Sequence, residues 1–404
     1  MKTVLILGGR LQGVEAAYLM KKAGWHTIVV DVDSAAAAQG IADEFRVGDI
    51  MTVPWLAEAM QTADLVIPAL EELDVLEYIT EIATETGARL MFSLPSYRIS
   101  CSKLVSDRMF QCLHVPAPTP WPDCSFPIIV KPSGQSGSEG VVHIADQQEL
   151  GRYEQLYGSL DGQVAQEYVS GPSYSIEIIA HQGHMKTFQV TKLDMDEQFD
   201  CKRVLCPSGL PRDMEQQFAD CAATLAAAVM LEGIMDVEAI LHDGELKVLE
   251  IDARLPSQTL TAVYQSTGAI APAAYAEEDL ERGTMYDHTF APATGVIYEH
   301  VLVKGHTLRI QGEHIMGGQG PLRWQKDFFG ADEALTSYEP GKQCWVATLI
   351  LRGRDRAAVW QKHLEVMHRI MTDCGLTEYY DEEPAPYAGD KAAGTDDTLK
   401  EEAI

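Results

Sequence analysis

Glu238, Glu250 and Asp252 are hard to explain as ordinary packing. They lie in the stretch DVEAILHDGELKVLEIDARLPSQ, residues 236–258. Its apolar runs, Asp236–Leu241 and Leu246–Asp252, flank Asp243-Gly244, a strong signal for a hairpin turn. A carboxylate inside such a run is costly unless something neutralises it. A two-residue loop would put Glu238 and Glu250 on opposite faces, whereas a three-residue loop, Asp243–Glu245, sets them directly opposite each other. Asp252 shares the face of Glu250 by the two-residue strand period. Like charges paired across strands repel, so the three-residue loop makes sense with a cation between the acids. Oxygen-only ligands select Mg²⁺, or Mn²⁺, rather than zinc. The competing reading is a hairpin whose acids face water.

A metal here needs something to hold. Lys131 ends the apolar strand Ile128–Pro132 and precedes Ser133–Gly140, SGQSGSEG, after which Val141–Ile144 reads as a second strand. A Gly/Ser loop between two strands can fold its N–H groups over phosphates, and this one contains Ser138. It is not a Walker loop, because no G-K-[ST] follows. Lys103 lies in a polar stretch, Ser96–Leu113, expected to be a single helix. Val164–Val169, which contains Gln166, Glu167, Tyr168 and Val169, reads as a short strand ending at Gly171-Pro172. Ser173–Ile179 is another, with Ser175 and Glu177 on one face, and Asp213–Leu231 reads as a helix.

The elements before these read as a Rossmann-like unit. Strand Val4–Leu7 runs into Gly8-Gly9-Arg10-Leu11-Gln12-Gly13, a helix over Val14–Ala23 and a strand, Thr27–Val30, ending at Asp31. The spacing is G-G-x-x-x-G with bulky residues inside, not the G-x-G-x-x-G of a dinucleotide site, so NAD is a weak alternative. Leu65–Pro68 leads to Glu71 and Glu72 at the expected carboxyl edge of a parallel sheet, where ligands bind; alternatively these acids open the next helix. A strand at Arg89–Phe92 closes this region, and four prolines (116, 118, 120 and 122) mark a linker. Past the hairpin, Ala273–Leu280 looks helical, Val296–Ile310 and Trp345–Arg352 look strand-rich, and Arg356–Met371 is amphipathic.

With 404 residues, several domains are expected. The divisions are 1–93, 94–285 (with a lid over about 115–180 and the metal hairpin at 236–252), 286–380, and an acidic tail, 381–404, too poor in core formers to fold. A formal charge of −29 argues against nucleic acid or an anionic membrane as partner. The eight cysteines show no C-x-x-C spacing, so neither a zinc site nor a disulfide framework is indicated. Val4–Leu7 is too short for the apolar region of a leader, and the expected location is the cytoplasm. A homo-oligomer stays open.

Lys103, Lys131 with its loop, the Gln166–Val169 strand and the three acids follow the order of parts in the ATP-grasp ligases, which this sequence resembles. Closer still, Leu11-Gln12-Gly13 with Glu15–Leu19, Ser96–Ser100, Gly233–Ile240 and the run from Glu250 to Thr259, EIDARLPSQT, are similar to the pyrrolysine-biosynthesis ligases. That family joins 3-methyl-D-ornithine to the ε-amine of L-lysine with ATP. Most ATP-grasp enzymes have Asn where Asp252 stands, Arg10 replaces an expected Lys, and Phe199-Asp200-Cys201 matches a family-like D-C pair. The resemblance covers roughly residues 1–380. It implies an α/β ATP-grasp fold preceded by a Rossmann-like domain and followed by a small mixed one. It also implies a nucleotide site of Arg10, Asp31, Asp49, Lys103, Lys131, Ser138 and Gln166 to Val169, and Mg²⁺ on Glu238, Glu250 and Asp252. Leu11, Gln12 and Glu71 would face lysine. Ser175, Ile176, Glu177, Arg254, Ser257 and Thr259 would face the ornithine-like substrate, with Arg254 also placed at the reaction centre. The rival readings are another ATP-grasp enzyme, of dipeptide-ligase or carboxylase type, and a non-catalytic or NAD-binding Rossmann protein.

Overall fold

Two glycines set the first corner of the chain. A Cβ at Gly8, whose φ is +112°, would lie 2.3 Å from the Ala69 carbonyl oxygen, and one at Gly13 would lie 2.2 Å from that of Gly8. Only glycine allows this approach. The computed structural model describes residues 1–134, 140–277, 286–288 (backbone only) and 293–384. Strands β1 (Thr3–Leu7), β2 (His26–Asp31), β3 (Glu44–Val47) and β4 (Leu65–Pro68) form a parallel sheet in the order β3-β2-β1-β4. Helix α1 (Leu11–Lys22) starts three residues earlier than expected, with Arg10 at its N-cap, so the glycine turn is shorter than the sequence suggests. Helix α2 is Leu56–Thr62 and α3 is Leu73–Thr86. Glu72 is the N-cap of α3, leaving Glu71 in the loop at the carboxyl edge. The expected strand at 89–92 is reduced to a single bridge, Leu90 to Val66.

The long helix expected over Ser96–Leu113 is two helices, α4 (Leu94–Ser100) and α5 (Lys103–Leu113). The break at Cys101-Ser102 puts Lys103 in the first turn of α5, where its N–H donates to the Ser133 carbonyl (2.9 Å). Strands β5 (Ile128–Pro132), β6 (Val142–Ile144) and β7 (Gln163–Glu167) make a small antiparallel sheet ordered β6-β5-β7, covered by α6 (Gln147–Tyr157).

The large sheet runs β13-β12-β8-β10-β11-β15-β19-β18-β17. Its strands are β8 (Ser173–His181), β9 (His184–Thr187), β10 (Thr191–Met195), β11 (Cys201–Cys206), β12 (Gly233–His242), β13 (Glu245–Asp252), β14 (Tyr286–His288), β15 (Gly295–Lys304), β16 (Thr307–Ile310), β17 (Arg323–Phe328), β18 (Ala331–Thr336), β19 (Cys344–Gly353) and β20 (Glu378–Asp381). Helix α7 (Arg212–Ala228) buries Phe218, Ala222 and Leu225 in a core shared with the apolar side of β8 and β12. Helix α8 (Thr259–Thr267) links the hairpin to α1 through Glu15, which accepts from the N–H and hydroxyl of Thr261 (both 2.6 Å). Because β11 pairs with β15, strands from both sides of residue 285 share this sheet.

The expected tail starts too early at 381. Strand β20 pairs in parallel with β16, and Asp381 bridges Lys202 (2.6 Å) and Arg203 (2.8 Å), each only 1% exposed. Arg203 also meets Glu299 (2.8 Å), which meets His363 (2.6 Å). Two buried cations favour ordering an acid that composition alone would leave in solvent. The remainder of the tail, 385–404, lies outside the described residues. A chain ending at Glu383 keeps all these contacts and should melt with the full-length protein. Asp381→Ala, which leaves the buried Lys202 without its carboxylate and takes one of three from Arg203, should lose about 3–5 kcal/mol in denaturant titration. Equal stabilities for the two variants would contradict this.

Candidate active site

The hairpin reaches its predicted register by an unpredicted route. Its turn has two residues, Asp243 (φ 47°) and Gly244 (φ 85°), with His242 opposite Glu245. The expected three-residue loop is therefore wrong, because positive φ at both central positions gives the tight turn that matches strand twist. A β-bulge then shifts the pairing: Ala239 faces Val248, and the extra residue, Leu249, brings Glu238 directly opposite Glu250. Without the bulge the two acids would lie on opposite faces.

Strand β8 continues the row. Ser175 pairs with Glu238, Glu177 with Asp236, and Asp236 with Asp252. One face of three strands thus carries Glu177, Asp236 and Asp252 in one row and Ser175, Glu238 and Glu250 in the next. Ser175 and Glu177 are fully buried, and the Ser175 hydroxyl donates to Glu177 (3.1 Å). Asp236 was missed in the sequence, although its position two residues before Glu238 was the available signal. Ile176, expected at a substrate, points the other way. Strand alternation buries it in the apolar core with Phe218 and Leu225.

Three cations answer these five carboxylates. Lys103 pairs with Glu250 (2.9 Å), and Arg254 pairs with Asp252 (3.1 Å) and Glu71 (3.3 Å). Lys131 is buried nearby; burial lowers its pKa, against the opposing pull of Glu250 and Asp107. Burial also works against the Lys103 ammonium, but Glu250 and its neighbours hold its pKa above the usual lysine value. Asp107, one turn along α5 from Lys103, is pushed up to about 6 by burial and was not singled out in the sequence, where the i,i+4 spacing was its signal.

The uncompensated charge appears in the remaining acids. Burial, then repulsion from Glu250 and Asp252, raises Glu238 to about 8. Burial and the same kind of repulsion push Asp236 well above the carboxylate range, and burial raises Asp252 to about 6 against the pull of Arg254. Glu250 goes down, because its lysines outweigh its burial. Five carboxylates face three cations, of which Arg254 is shared with Glu71 and the lysines with Asp107, so negative charge is in excess. This all-oxygen donor set fits Mg²⁺.

The acidic face forms one wall of a cleft of about 310 Å³. Lys103, Lys131, Gln166, Glu167, Tyr168, Val169, Glu238, Glu250, Asp252, Arg254, Ser257 and Thr259 line it as expected; Glu313, not expected, joins them. The Glu167 carboxylate is taken by Lys247. Ser138 lies outside the described residues. Arg10, Asp31 and Asp49 do not line this cleft; they stand at the carboxyl edge of the first sheet. There Asp31 accepts from the N–H groups of Gly9 (2.6 Å) and Asp33 (2.8 Å), and Asp49 from that of Met51 (2.9 Å). Leu11 and Gln12 open α1 above the same edge. Gln12 donates to Glu71 (3.1 Å), while its buried side-chain oxygen has no hydrogen-bond partner among the described residues.

Paired lysines facing an acidic hairpin beside a small antiparallel sheet are the working parts of an ATP-grasp ligase, an ATP-dependent enzyme that forms C–N bonds. The ATP-grasp domain family matches residues 101–258. The fold is shared with the ADP complex of an N5-carboxyaminoimidazole ribonucleotide synthetase (TM-score 0.65, 15% identity, 92% of this chain and 97% of that one). It is shared also with the biotin carboxylase domain of Hydrogenobacter thermophilus 2-oxoglutarate carboxylase (TM-score 0.67, 14% identity, 91% and 89%). Much nearer in sequence are 3-methyl-D-ornithine–L-lysine ligases. That of Methanosarcina acetivorans is 34% identical over 369 residues (88% of this chain, 94% of the relative), and that of Methanosarcina mazei is 33% identical over 365 (88% and 92%). The chain belongs to the 3-methyl-D-ornithine–L-lysine ligase family.

The surplus charge predicts a pH dependence. Glu238 has a folded pKa of about 8 against an ordinary value of 4.5. Between those values it is protonated in the fold and ionised in the unfolded chain, so its contribution to stability is lost as pH rises through that window. In EDTA, the unfolding free energy of Glu238→Gln should fall less steeply with pH across the window, by at most about 1.4 kcal/mol per pH unit, the linkage of one proton. Parallel profiles for the two proteins would show that Glu238 is ionised without a cation.

Proposed function

We propose that this protein joins 3-methyl-D-ornithine to the ε-amine of L-lysine at the expense of ATP, as a step in pyrrolysine biosynthesis. One observation carries the assignment of the reaction to this cleft: an acidic face with an excess of negative charge opposite Lys103 and Lys131. Such a face is costly alone and favourable once a metal and a polyphosphate are in place.

The residues divide the work. Lys103 and Lys131 neutralise phosphate oxygens. Glu167 and Tyr168 already donate their N–H groups to the Thr119 and Pro127 carbonyls (2.8 and 3.0 Å), so we assign the Val169 N–H to an adenine nitrogen. Glu238, Glu250 and Asp252 would hold Mg²⁺, with Mn²⁺ as a substitute, and Asp236 backs them. Bound there, the metal supplies charge neutralisation for the transferring phosphoryl group. Arg254, fixed between Asp252 and Glu71, is set to orient the ornithine carboxylate with Ser257 and Thr259, above Ser175 and Glu177. Leu11, Gln12 and Glu71 form the side from which lysine enters.

In the reaction, a carboxylate oxygen of 3-methyl-D-ornithine attacks the γ-phosphorus of ATP, and ADP leaves. The lysine ε-amine, having lost its ammonium proton, attacks the resulting acyl carbon, and the carbon–oxygen bond to phosphate breaks. The amine nitrogen gives up its second proton as the amide forms. Positioning and charge stabilisation account for the protein's share. We assign residues 1–93 to lysine and 94–285 to ATP and the acyl group, with Glu313 contributing to the cleft wall from beyond them.

We assign the reaction to the cytoplasm, which suits eight free cysteines. Among the described residues no helix is long and apolar enough to cross a membrane.

Mass spectrometry of an incubation with ATP, Mg²⁺, L-lysine and 3-methyl-D-ornithine should show the amide, with one ADP and one phosphate formed per product. Glu250→Gln should keep its fold and lose at least about a hundredfold in turnover. Absence of the amide would overturn the substrate assignment. Normal turnover of the variant at saturating Mg²⁺ would remove the metal from this face.

A further inference from the structure

Gln258 stands where a helix is usually capped, yet it caps nothing. It is the N-cap of α8, a position that favours Ser, Thr, Asp or Asn, and its side chain makes no bond to the first turn. That side chain is buried between two other partners. His300 Nε2 meets its Oε1 (3.3 Å), and it is a hydrogen-bonding partner of Glu313, which also accepts from the Ser257 hydroxyl (2.6 Å). Ser257, Gln258, Thr259 and Glu313 line the cleft, and His300 stands behind them.

The imidazole is itself fixed. His300 lies on β15 directly opposite Thr348 of β19, and its Nδ1 meets the Thr348 hydroxyl (2.9 Å). Tyr298, two residues back on the same face, packs edge-on against the ring, 5.4 Å between centroids. Burial drives His300 down to about 3, so the ring is neutral near pH 7 and carries one N–H. Gln258 Oε1 can only accept, so the proton is on Nε2 and Nδ1 accepts from Thr348. The Gln258 NH₂ is left to donate toward Glu313. Donation therefore runs one way, from Thr348 through His300 and Gln258 to a carboxylate on the cleft wall. The main chain is held separately: the Gln311 N–H donates to the His300 carbonyl (3.3 Å) and the Gly312 N–H to Asp196 (2.8 Å). Replacing the imidazole leaves those links in place.

We propose that His300 is a positioning residue: acting through Gln258, it fixes residues 256–259 where 3-methyl-D-ornithine is held. This deepens the ligase function above and rests on it, and on the assignment of Ser257 and Thr259 to that substrate. The imidazole touches no substrate. Its part is to hold one rotamer of a long amide side chain, which without it has several. A wall that must be ordered during binding weakens binding, and one ordered beforehand does not. A neutral ring suits the task, because it orients the amide without placing a cation beside a substrate that carries ammonium groups of its own.

Hydroxylamine in place of lysine converts the acyl phosphate to hydroxamate and phosphate, so it reads the first half of the reaction alone. In that assay His300→Leu, which removes both ring nitrogens, should raise the KM for 3-methyl-D-ornithine roughly tenfold and leave the KM for ATP unchanged. His300→Gln places an amide N–H near the position of Nε2–H and should recover most of that loss. Gln258→Met, which takes the acceptor away from His300, should reproduce the rise without touching the β15–β19 core. The double variant His300→Leu/Gln258→Met should add nothing to either single change, because both break one chain. An unchanged KM for 3-methyl-D-ornithine in Gln258→Met, an equal rise for ATP, additive effects, or no recovery in His300→Gln would each overturn the proposal. A wild-type enzyme that forms no hydroxamate from 3-methyl-D-ornithine would instead overturn the ligase reading itself, and this proposal with it.

Discussion

Glu177, Asp236, Glu238, Glu250 and Asp252 crowd one face of three adjacent strands, and their mutual repulsion is the constraint around which the rest is arranged. Strand pairing holds their backbones at fixed spacing, so they cannot splay apart. Two lysines and an arginine converge from three other parts of the chain: Lys103 from the start of α5, Lys131 from β5, and Arg254 from just beyond β13. The charge that remains lifts Glu238 and Asp236 above the carboxylate range. A face of this kind suits a divalent cation and the anion that would follow it, and protons on Glu238 and Asp236 relieve the repulsion otherwise.

A second buried charge cluster behaves in the opposite sense. Around Arg203, the acids Glu299 and Asp381 have Arg203, Lys202 and His363 within reach, and both have pKa values lowered despite burial. There opposite charges close on one another, and the cluster ties β11, β15, β20 and the helix Arg356–Asp373 together. Burial alone therefore does not separate a reactive carboxylate from a structural one. The direction of each shift follows the charges nearby: cations bring Glu299, Asp381 and Glu250 down, and burial with the crowding of like charges pushes Glu238 and Asp236 up.

Much of the cleft was legible in the sequence because its parts are local. Asp243-Gly244 announces a hairpin, two-residue spacing links Glu250 to Asp252, and Lys131 ends a strand beside a Gly/Ser loop. The bulge at Leu249 was not legible: no residue there demands it, and a three-residue loop would give the same register without it. Contacts between distant segments were equally hidden. Asp236 gains meaning only when β8 lies beside β12, Glu313 only when a segment after β16 folds over the hairpin, and Asp381 only when two buried cations receive it. Ile176 failed for a simpler reason. A neighbouring position on a strand faces the other way, and the period that paired Ser175 with Glu177 should have excluded it. In the first sheet the parallel strands and the glycine corner were readable from apolar runs and spacing, whereas β3, a short half-exposed edge strand, leaves little pattern in the sequence.

The central claim is that protons occupy the acidic face until a cation replaces them. Calorimetric titration of Mg²⁺ with ADP into the protein near neutral pH, repeated in buffers of differing ionisation enthalpy, measures the protons released per site. The account predicts net release on binding to wild-type protein and a smaller release in Glu238→Gln. Binding without proton release, or the same release from both proteins, would contradict it.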